Sequence, residues 1–213
     1  MHRRARVLIV SGPSGAGKGT LIEGLLRRFS FLTVAVSATT RPQRPGEVDG
    51  REYHFVSRET FEQLIQLDEF LEWAEVHGNL YGTSRREVTS AGDKRGIIFD
   101  IDHQGARQIK SVHPGAISVF ILPPSMEVLE ARLRGRASED EPTVQRRFAV
   151  AREEIAHYGQ FDYLLVNDDL EQATLQLSSI FLAAECARAR RAAEAEHLLA
   201  EGRGFGGSKP PAA

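Results

Sequence analysis

Cysteine is almost missing from this chain: Cys186 is the one thiol among 213 residues. An intrachain disulfide and a CxxC metal knuckle are thereby excluded, and a reducing, cytoplasmic setting is the expectation. Long apolar runs are missing as well. The basic opening Met1-His2-Arg3-Arg4-Ala5-Arg6 leads into only four apolar residues, Val7 to Val10. That is too few for a signal-peptide core or a membrane span, so no targeting segment and no membrane partner are expected. Neither sign of charge dominates: 27 Lys and Arg stand against 29 Asp and Glu, a net charge of -2. With a pI near 6.4, a generalised nucleic-acid binder is not expected, although a local Arg cluster can still serve one anionic ligand. Seven His show no metal-like spacing, and no internal repeat is present. What the chain does have is 41% hydrophobic residues, enough for a real core and against wholesale disorder.

Short apolar runs alternate with helix-compatible stretches: Val7-Leu8-Ile9-Val10, Val34-Ala35-Val36, Ile97-Ile98-Phe99, Val119-Phe120-Ile121-Leu122 and Tyr163-Leu164-Leu165-Val166. This pattern predicts an α/β fold with a parallel sheet flanked by helices. Leu21, Ile22, Leu25, Leu26 and Phe29 give the first helix an apolar face. The alternation lapses from Ser37 to Arg95, where an inserted antiparallel subdomain with a short strand at Tyr53 to Val56 is expected. A second, charged insertion runs from Met126 to Tyr158, with a break at Ser138 to Pro142 between two helices. Beyond Asp169 one long Ala/Glu/Arg/Leu-rich helix closes the fold. The expected partition is one unit over residues 4–186. Its core is 4–36, 96–125 and 159–200, its insertion 37–95 and its helical lid 126–158, and a disordered Gly/Pro-rich tail covers 201–213.

Gly12-Pro13-Ser14-Gly15-Ala16-Gly17-Lys18-Gly19-Thr20 follows a buried strand and opens an amphipathic helix, the context in which GxxxxGK means a P-loop. Its glycines let backbone N–H groups turn toward phosphates, the helix start adds positive dipole, and Lys18 reaches the β and γ oxygens. Gly19 fills the usual Ser/Thr slot, and Thr20 after it offers a hydroxyl to Mg²⁺. By contrast, Gly202-Arg203-Gly204-Phe205-Gly206-Gly207 fits GxGxxG formally, but no strand precedes it and no helix follows, so it is assigned to the tail.

Ser37-Ala38-Thr39-Thr40-Arg41-Pro42-Gln43-Arg44-Pro45-Gly46-Glu47, with Gly50 and Tyr53, sets two Arg on a proline-limited turn that suits a phosphate. Taken alone, it is also what a solvated surface turn shows. Asp100 and Asp102 follow a strand at its carboxyl end, where open α/β sheets place ligands; either orients Mg²⁺ through water or contacts nucleotide. Asp102-His103-Gln104-Gly105 also fits the DxxG of GTPases, but no NKxD follows. In the second insertion Val144, Phe148, Ala151, Ile155 and Tyr158 form one stripe. At about 100° per residue, Arg147 lies about 60° from its centre and Arg146 nearly opposite. A cation bordering a buried stripe needs an anion. Arg132 and Arg136, four apart, repel unless an anion lies between them: a phosphate, or Glu139, Asp140 or Glu141. Asn167-Asp168-Asp169 by itself is ordinary helix-capping chemistry for the helix that follows. Glu72 by itself reads as an exposed helix residue, and Tyr81 as an amphipathic one.

These runs, together with Phe70-Leu71-Glu72-Trp73-Ala74-Glu75, Gly78-Asn79-Leu80-Tyr81-Gly82-Thr83 and Asp100-Ile101-Asp102-His103-Gln104-Gly105, resemble the guanylate kinase family over nearly all of residues 4 to 186. The resemblance implies a P-loop kinase that transfers the γ-phosphoryl of MgATP to GMP, in purine nucleotide metabolism and GMP recycling. It puts ATP on Gly12 to Thr20 with Arg132, Arg136, Asn167 and Asp168. The GMP phosphate falls to Ser37, Arg41, Arg44, Tyr53 and Tyr81. The guanine falls to Glu72 and Thr83, with Gly82, Asp100 and Asp102 in the same pocket. Guanine's N1–H and N2–H₂ donors match a carboxylate and hydroxyl, whereas adenine reverses that edge. Catalysis falls to Lys18, Arg41, Arg44, Arg136 and Arg147, and Mg²⁺ to Thr20 with Asp100 through water. Ala137, where Gly is frequent, and Pro142 depart from the family pattern in the lid. Two other readings stay open: a kinase for another nucleoside monophosphate, and a non-catalytic guanylate-kinase-like binding module. The protein is expected to be a monomer or small homo-oligomer.

Overall fold

The strand β1 (Arg6–Ser11) is apolar on both sides, and such a strand has to be covered on both faces. In the computed structural model, which describes residues 5–76, 78–91, 94–135 and 141–202, it lies at the centre of a five-stranded parallel sheet. The sheet runs β2 (Leu32–Val34), β7 (Gly96–Asp100), β1, β8 (Ile117–Leu122), β9 (Tyr163–Val166). All four pairings are parallel. Leu8 and Val10 join one apolar cluster with α1 (Lys18–Arg28) and α7 (Leu170–Glu185), while Val7 and Ile9 join a second with α4 (His103–Val112). The strand order reverses at β1, so the loops after β1 and β7 meet at the switch point where such sheets bind ligands.

The first insertion builds a second sheet, ordered β4 (His54–Phe55), β3 (Ala38–Thr39), β6 (Asn79–Ser84), β5 (Phe70–Val76). It is mixed and not wholly antiparallel as expected, because β4 pairs with β3 in parallel. The chain between them makes a wide turn over residues 40–53 instead of a hairpin, so it returns in the same direction. The helix α2 (Arg58–Gln66) covers this sheet through Phe61, whose ring stacks on Phe70 at 4.4 Å. A short helix, α3 (Arg85–Ser90), leads back to the core.

The second insertion is two helices, α5 (Met126–Arg134) and α6 (Glu141–Ile155), packed through Leu129, Leu133, Val144 and Ala151. Pro142 is the second residue of α6, in the first turn, where proline is tolerated. Tyr158 departs from the expected stripe: it is half exposed, on a 3-10 turn after the helix has ended.

The single long closing helix is also corrected. It is two helices, α7 and α8 (Arg188–Gly202). Arg6 donates to the carbonyl of Ala184 at 2.6 Å and Arg191 to that of Glu185 at 3.2 Å, so guanidinium groups take the last carbonyls of α7. The proposed tail from residue 203 onward, Ala137, and the break at Ser138 to Asp140 lie outside the described residues.

Candidate active site

The loop leaving β1 turns into α1 through backbone that only glycine adopts without strain. Gly12 (φ 141°) passes so close to β8 that a Cβ would stand 2.3 Å from the carbonyl oxygen of Ile121. Gly17 (φ 90°) caps α1, and a Cβ there would stand 2.3 Å from Nδ2 of Asn167. That amide donates to the carbonyl of Ala16 at 2.8 Å, which makes buried Asn167 a strut beneath the phosphate loop. Asp168 beside it is exposed, and the capping residue of α7 is Asp169, which accepts from the N–H of Gln172 at 2.7 Å. Lys18 folds back over the loop and donates to the carbonyls of Gly12 at 2.7 Å and Pro13 at 3.4 Å. Gly19 faces open space, and Thr20 is exposed in the first turn of α1.

The helix α6 comes down on this loop. Arg147 donates to the hydroxyl of Ser14 at 2.6 Å, while Arg146 is exposed, as the helical arithmetic required. Glu154, two turns on, accepts from the N–H of Ser14 at 3.3 Å, a contact that sequence reasoning missed. Arg132 donates to the carbonyl of Asn167 at 3.1 Å, and its other terminal nitrogen is buried with no hydrogen-bond partner among the described residues. Glu141 takes Arg134 and not Arg132, with a contact of 2.7 Å. Arg136 lies outside the described residues, as do Glu139 and Asp140.

Across the cleft, Arg41 packs over the rings of Tyr53 at 5.4 Å and Phe55 at 5.7 Å, and Tyr53 meets the edge of Tyr81 at 5.8 Å. Glu47 organises this turn: one carboxylate oxygen accepts from Arg41 at 2.8 Å and the other from the backbone N–H of Arg44 at 2.7 Å. Glu47 stood in the quoted run without a role, because a contact across a six-residue turn has no period to reveal it. Burial, with the carboxylate of Asp100 adding to it, pushes the Tyr53 phenol up to about 12, so it stays a proton donor. Asp100, at the end of β7, is reached by solvent yet sits low in the cleft; desolvation raises its carboxyl and the Lys18 ammonium opposes the rise. Asp100 is thus within electrostatic reach of both Lys18 and Tyr53.

Glu72 is a strand residue, not the exposed helix residue its sequence suggests. It is only 3% exposed and lies on β5 directly opposite Thr83 of β6. The Thr83 hydroxyl donates to its carboxylate at 2.6 Å, and Ser37 shares a hydrogen bond with that hydroxyl at 2.8 Å. The structure therefore groups Ser37 with Thr83 and Glu72 by direct contact. Burial pushes the Glu72 carboxyl up to about 7, against the Thr83 hydrogen bond and with the Asp102 carboxylate adding to the rise. Asp102 itself caps α4, accepting from the N–H of Gly105 at 2.9 Å and from Gln104 at 3.1 Å. Gly82 contributes only backbone: a Cβ would meet Trp73 at 2.9 Å and Phe61 at 3.0 Å.

The site thus has two parts: a glycine loop under an arginine-bearing helix, and a second cationic turn with a buried carboxylate–hydroxyl pair. The family model for guanylate kinase matches residues 4–184. The chain belongs to the guanylate kinase family. Membership makes it an ATP:GMP phosphotransferase. The guanylate kinase of Nitrosospira multiformis is 47% identical over 196 residues, covering 91% of this chain and 92% of its own. That of Aromatoleum aromaticum is 50% identical over 177 residues, covering 82% and 86%. Among solved structures, the guanylate kinase from Anaplasma phagocytophilum superposes with a TM-score of 0.73 at 34% identity, over 87% of this chain and 89% of that one. The resemblance stated from the motifs and the α/β parallel-sheet fold are thereby both upheld.

Proposed function

We propose that ATP lies on the loop Gly12 to Thr20, that GMP lies against Arg41, Arg44, Tyr53, Tyr81, Glu72 and Thr83, and that the γ-phosphoryl passes between them above Asp100. What supports this reading is the make-up of the two clusters: Lys18 folded over the glycine loop with Arg147 on Ser14, and in the second sheet Arg41 over Tyr53 beside the buried Glu72–Thr83 pair. The GMP phosphate is already an anionic nucleophile, so the chain has no proton to remove. Its residues bind, orient and compensate charge: Lys18 and Arg147 from the ATP side, Arg41 and Arg44 from the acceptor side, and Arg136 as a lid residue. Arg132 and Asn167 flank the loop. Closure of α6 over Ser14 excludes water as a competing acceptor.

Among the described residues no cluster of His, Cys, Asp or Glu could hold a metal by itself. The Thr20 hydroxyl and the Asp100 carboxylate are hard oxygen donors, which suit a magnesium ion that arrives with its phosphates. Bound there, magnesium would supply positive charge to offset that of the phosphates. No helix is long and apolar enough to cross a membrane among the described residues, and one exposed cysteine fits a reducing compartment. We read the protein as a cytoplasmic monomer or small homo-oligomer serving purine nucleotide metabolism and GMP recycling.

An acceptor panel tests the site reading. ADP formation from ATP is measured with GMP, AMP and UMP, for the wild type and Glu72→Ala. Turnover confined to GMP in the wild type, with that preference lost in the variant, is the expected result. Unchanged preference in Glu72→Ala overturns the assignment of guanine to this carboxylate.

A further inference from the structure

The helix α4 and the strand β5 meet along one helix face, and two residues of that face, three apart, bear on the base pocket. Because β5 is an edge of its sheet, the outer side of Trp73 has no strand neighbour among the described residues. Gln108 takes that place with its side-chain amide. Trp73 donates its N–H to Gln108 Oε1 at 3.1 Å, and Gln108 Nε2 donates to the carbonyl of Trp73 at 2.7 Å. Holding both backbone groups of one residue fixes the strand against sliding and rotation.

One turn earlier on the same helix stands Gly105. A Cβ at Gly105 would lie 2.3 Å from Oε2 of Glu72 and 3.0 Å from its Cδ. Gly105 cannot retreat, since its N–H is held by Asp102 at 2.9 Å. Nor is Glu72 free to swing, since its other oxygen accepts from Thr83 at 2.6 Å in a buried site. The β5–β6 register also shifts between Phe70 and Glu72, so the local aim of Glu72 depends on a bulge that needs outside support.

We propose that Gly105 and Gln108 are positioning residues for base selection: Gln108 anchors β5, and the bare α-carbon of Gly105 leaves the space that the Glu72 carboxylate occupies. This rests on the reading that Glu72 faces guanine. Neither residue touches the substrate; both act through Glu72. Any side chain at position 105 displaces the carboxylate by about an ångström, a misplacement that in a preorganised site costs on the order of a hundredfold.

The test compares Gly105→Ala, Gln108→Ala, Glu72→Ala, Glu72→Asp and the double variant Gly105→Ala with Glu72→Asp, using GMP, IMP and AMP as acceptors. For Gly105→Ala the expected result is a ten- to hundredfold rise in KM for GMP and a weakened preference over IMP. KM for ATP stays within about twofold and kcat falls much less than KM rises. Gln108→Ala shows the same split at about three- to tenfold. Glu72→Asp alone impairs GMP, but in the Gly105→Ala background the shorter acid regains part of the lost affinity, a reversal that a merely structural role for Gly105 does not produce. Alanine is a better helix former than glycine, so Gly105→Ala is not expected to unfold α4; should it fail to fold, Gln108→Ala decides. If Glu72→Ala abolishes the GMP preference while Gly105→Ala and Gln108→Ala leave it intact, the proposal is overturned and the guanine reading survives. Equal loss toward both nucleotides without rescue by aspartate also overturns it. If Glu72→Ala itself leaves the preference intact, the underlying reading fails.

Discussion

Glu72 answers to two opposed demands, since burial favours its neutral form while the guanine site proposed for it requires an accepting carboxylate. Its carboxyl is raised from 4.5 to about 7, chiefly by burial. Between those values the folded state holds a proton that the unfolded chain has released, so stability falls as pH rises through that window. Thermal melts from pH 5 to 8 are expected to show a loss on the order of 3 kcal/mol, and Glu72→Gln to flatten that slope. Affinity for GMP runs the other way: KM rises as pH drops below about 7, where the protonated acid no longer accepts two hydrogen bonds. A pH profile of KM for GMP without that rise removes the carboxylate from base reading. This same residue shows why part of the site was illegible. Along β5, Phe70, Glu72 and Ala74 alternate as the buried positions, and a charge at the middle one breaks the hydrophobic period that would mark a strand. The phosphate loop was legible because its spacing is local; Glu47 was not, because its partners gather across an irregular turn.

At the scale of elements, α6 touches the phosphate loop with both signs of charge. Arg147 meets the hydroxyl of Ser14, and Glu154 accepts from its N–H, the type of donor that a P-loop turns toward phosphate oxygens. If Arg147 serves the transferring group as proposed, Arg147→Ala is expected to lower kcat about a hundredfold or more with a change in Tm of only a few degrees. Glu154→Gln removes an acid from the proposed ATP site and is expected to lower KM for ATP about two- to fivefold, as read from initial rates against ATP concentration. The root of this helix is held by a ring stack, His157 on His103 at 3.8 Å, which joins it to the same α4 that carries Asp102. Sequence periodicity found the helices of the lid and the outward aim of Arg146. It could not show that α4 serves both halves of the cleft, because that depends on contacts between residues 35 apart, such as Gln108 with Trp73.

For the molecule as a whole, the five core strands and their helices were written in the alternation of short apolar runs. The division into α7 and α8 was not, because it depends on Arg6 and Arg191 reaching carbonyls at the helix end. At that division Glu185, 2% exposed, receives three arginines: Arg190 at 2.8 Å, Arg95 at 3.3 Å and Arg6 at 3.4 Å. Removing the carboxylate leaves buried positive charge unmatched, so Glu185→Ala is expected to cost about 3 kcal/mol in denaturant unfolding while nucleotide KM values hold. A shift under about 0.5 kcal/mol would show that solvent already satisfies the arginines. The cluster ties the first strand of the sheet to a helix laid down some 180 residues later, as the separation of Arg6 from Glu185 records. A nascent chain therefore completes this lock only after α7 has left the ribosome, and stalled intermediates ending before α7 should stay protease-sensitive even with β1 and β7 already made.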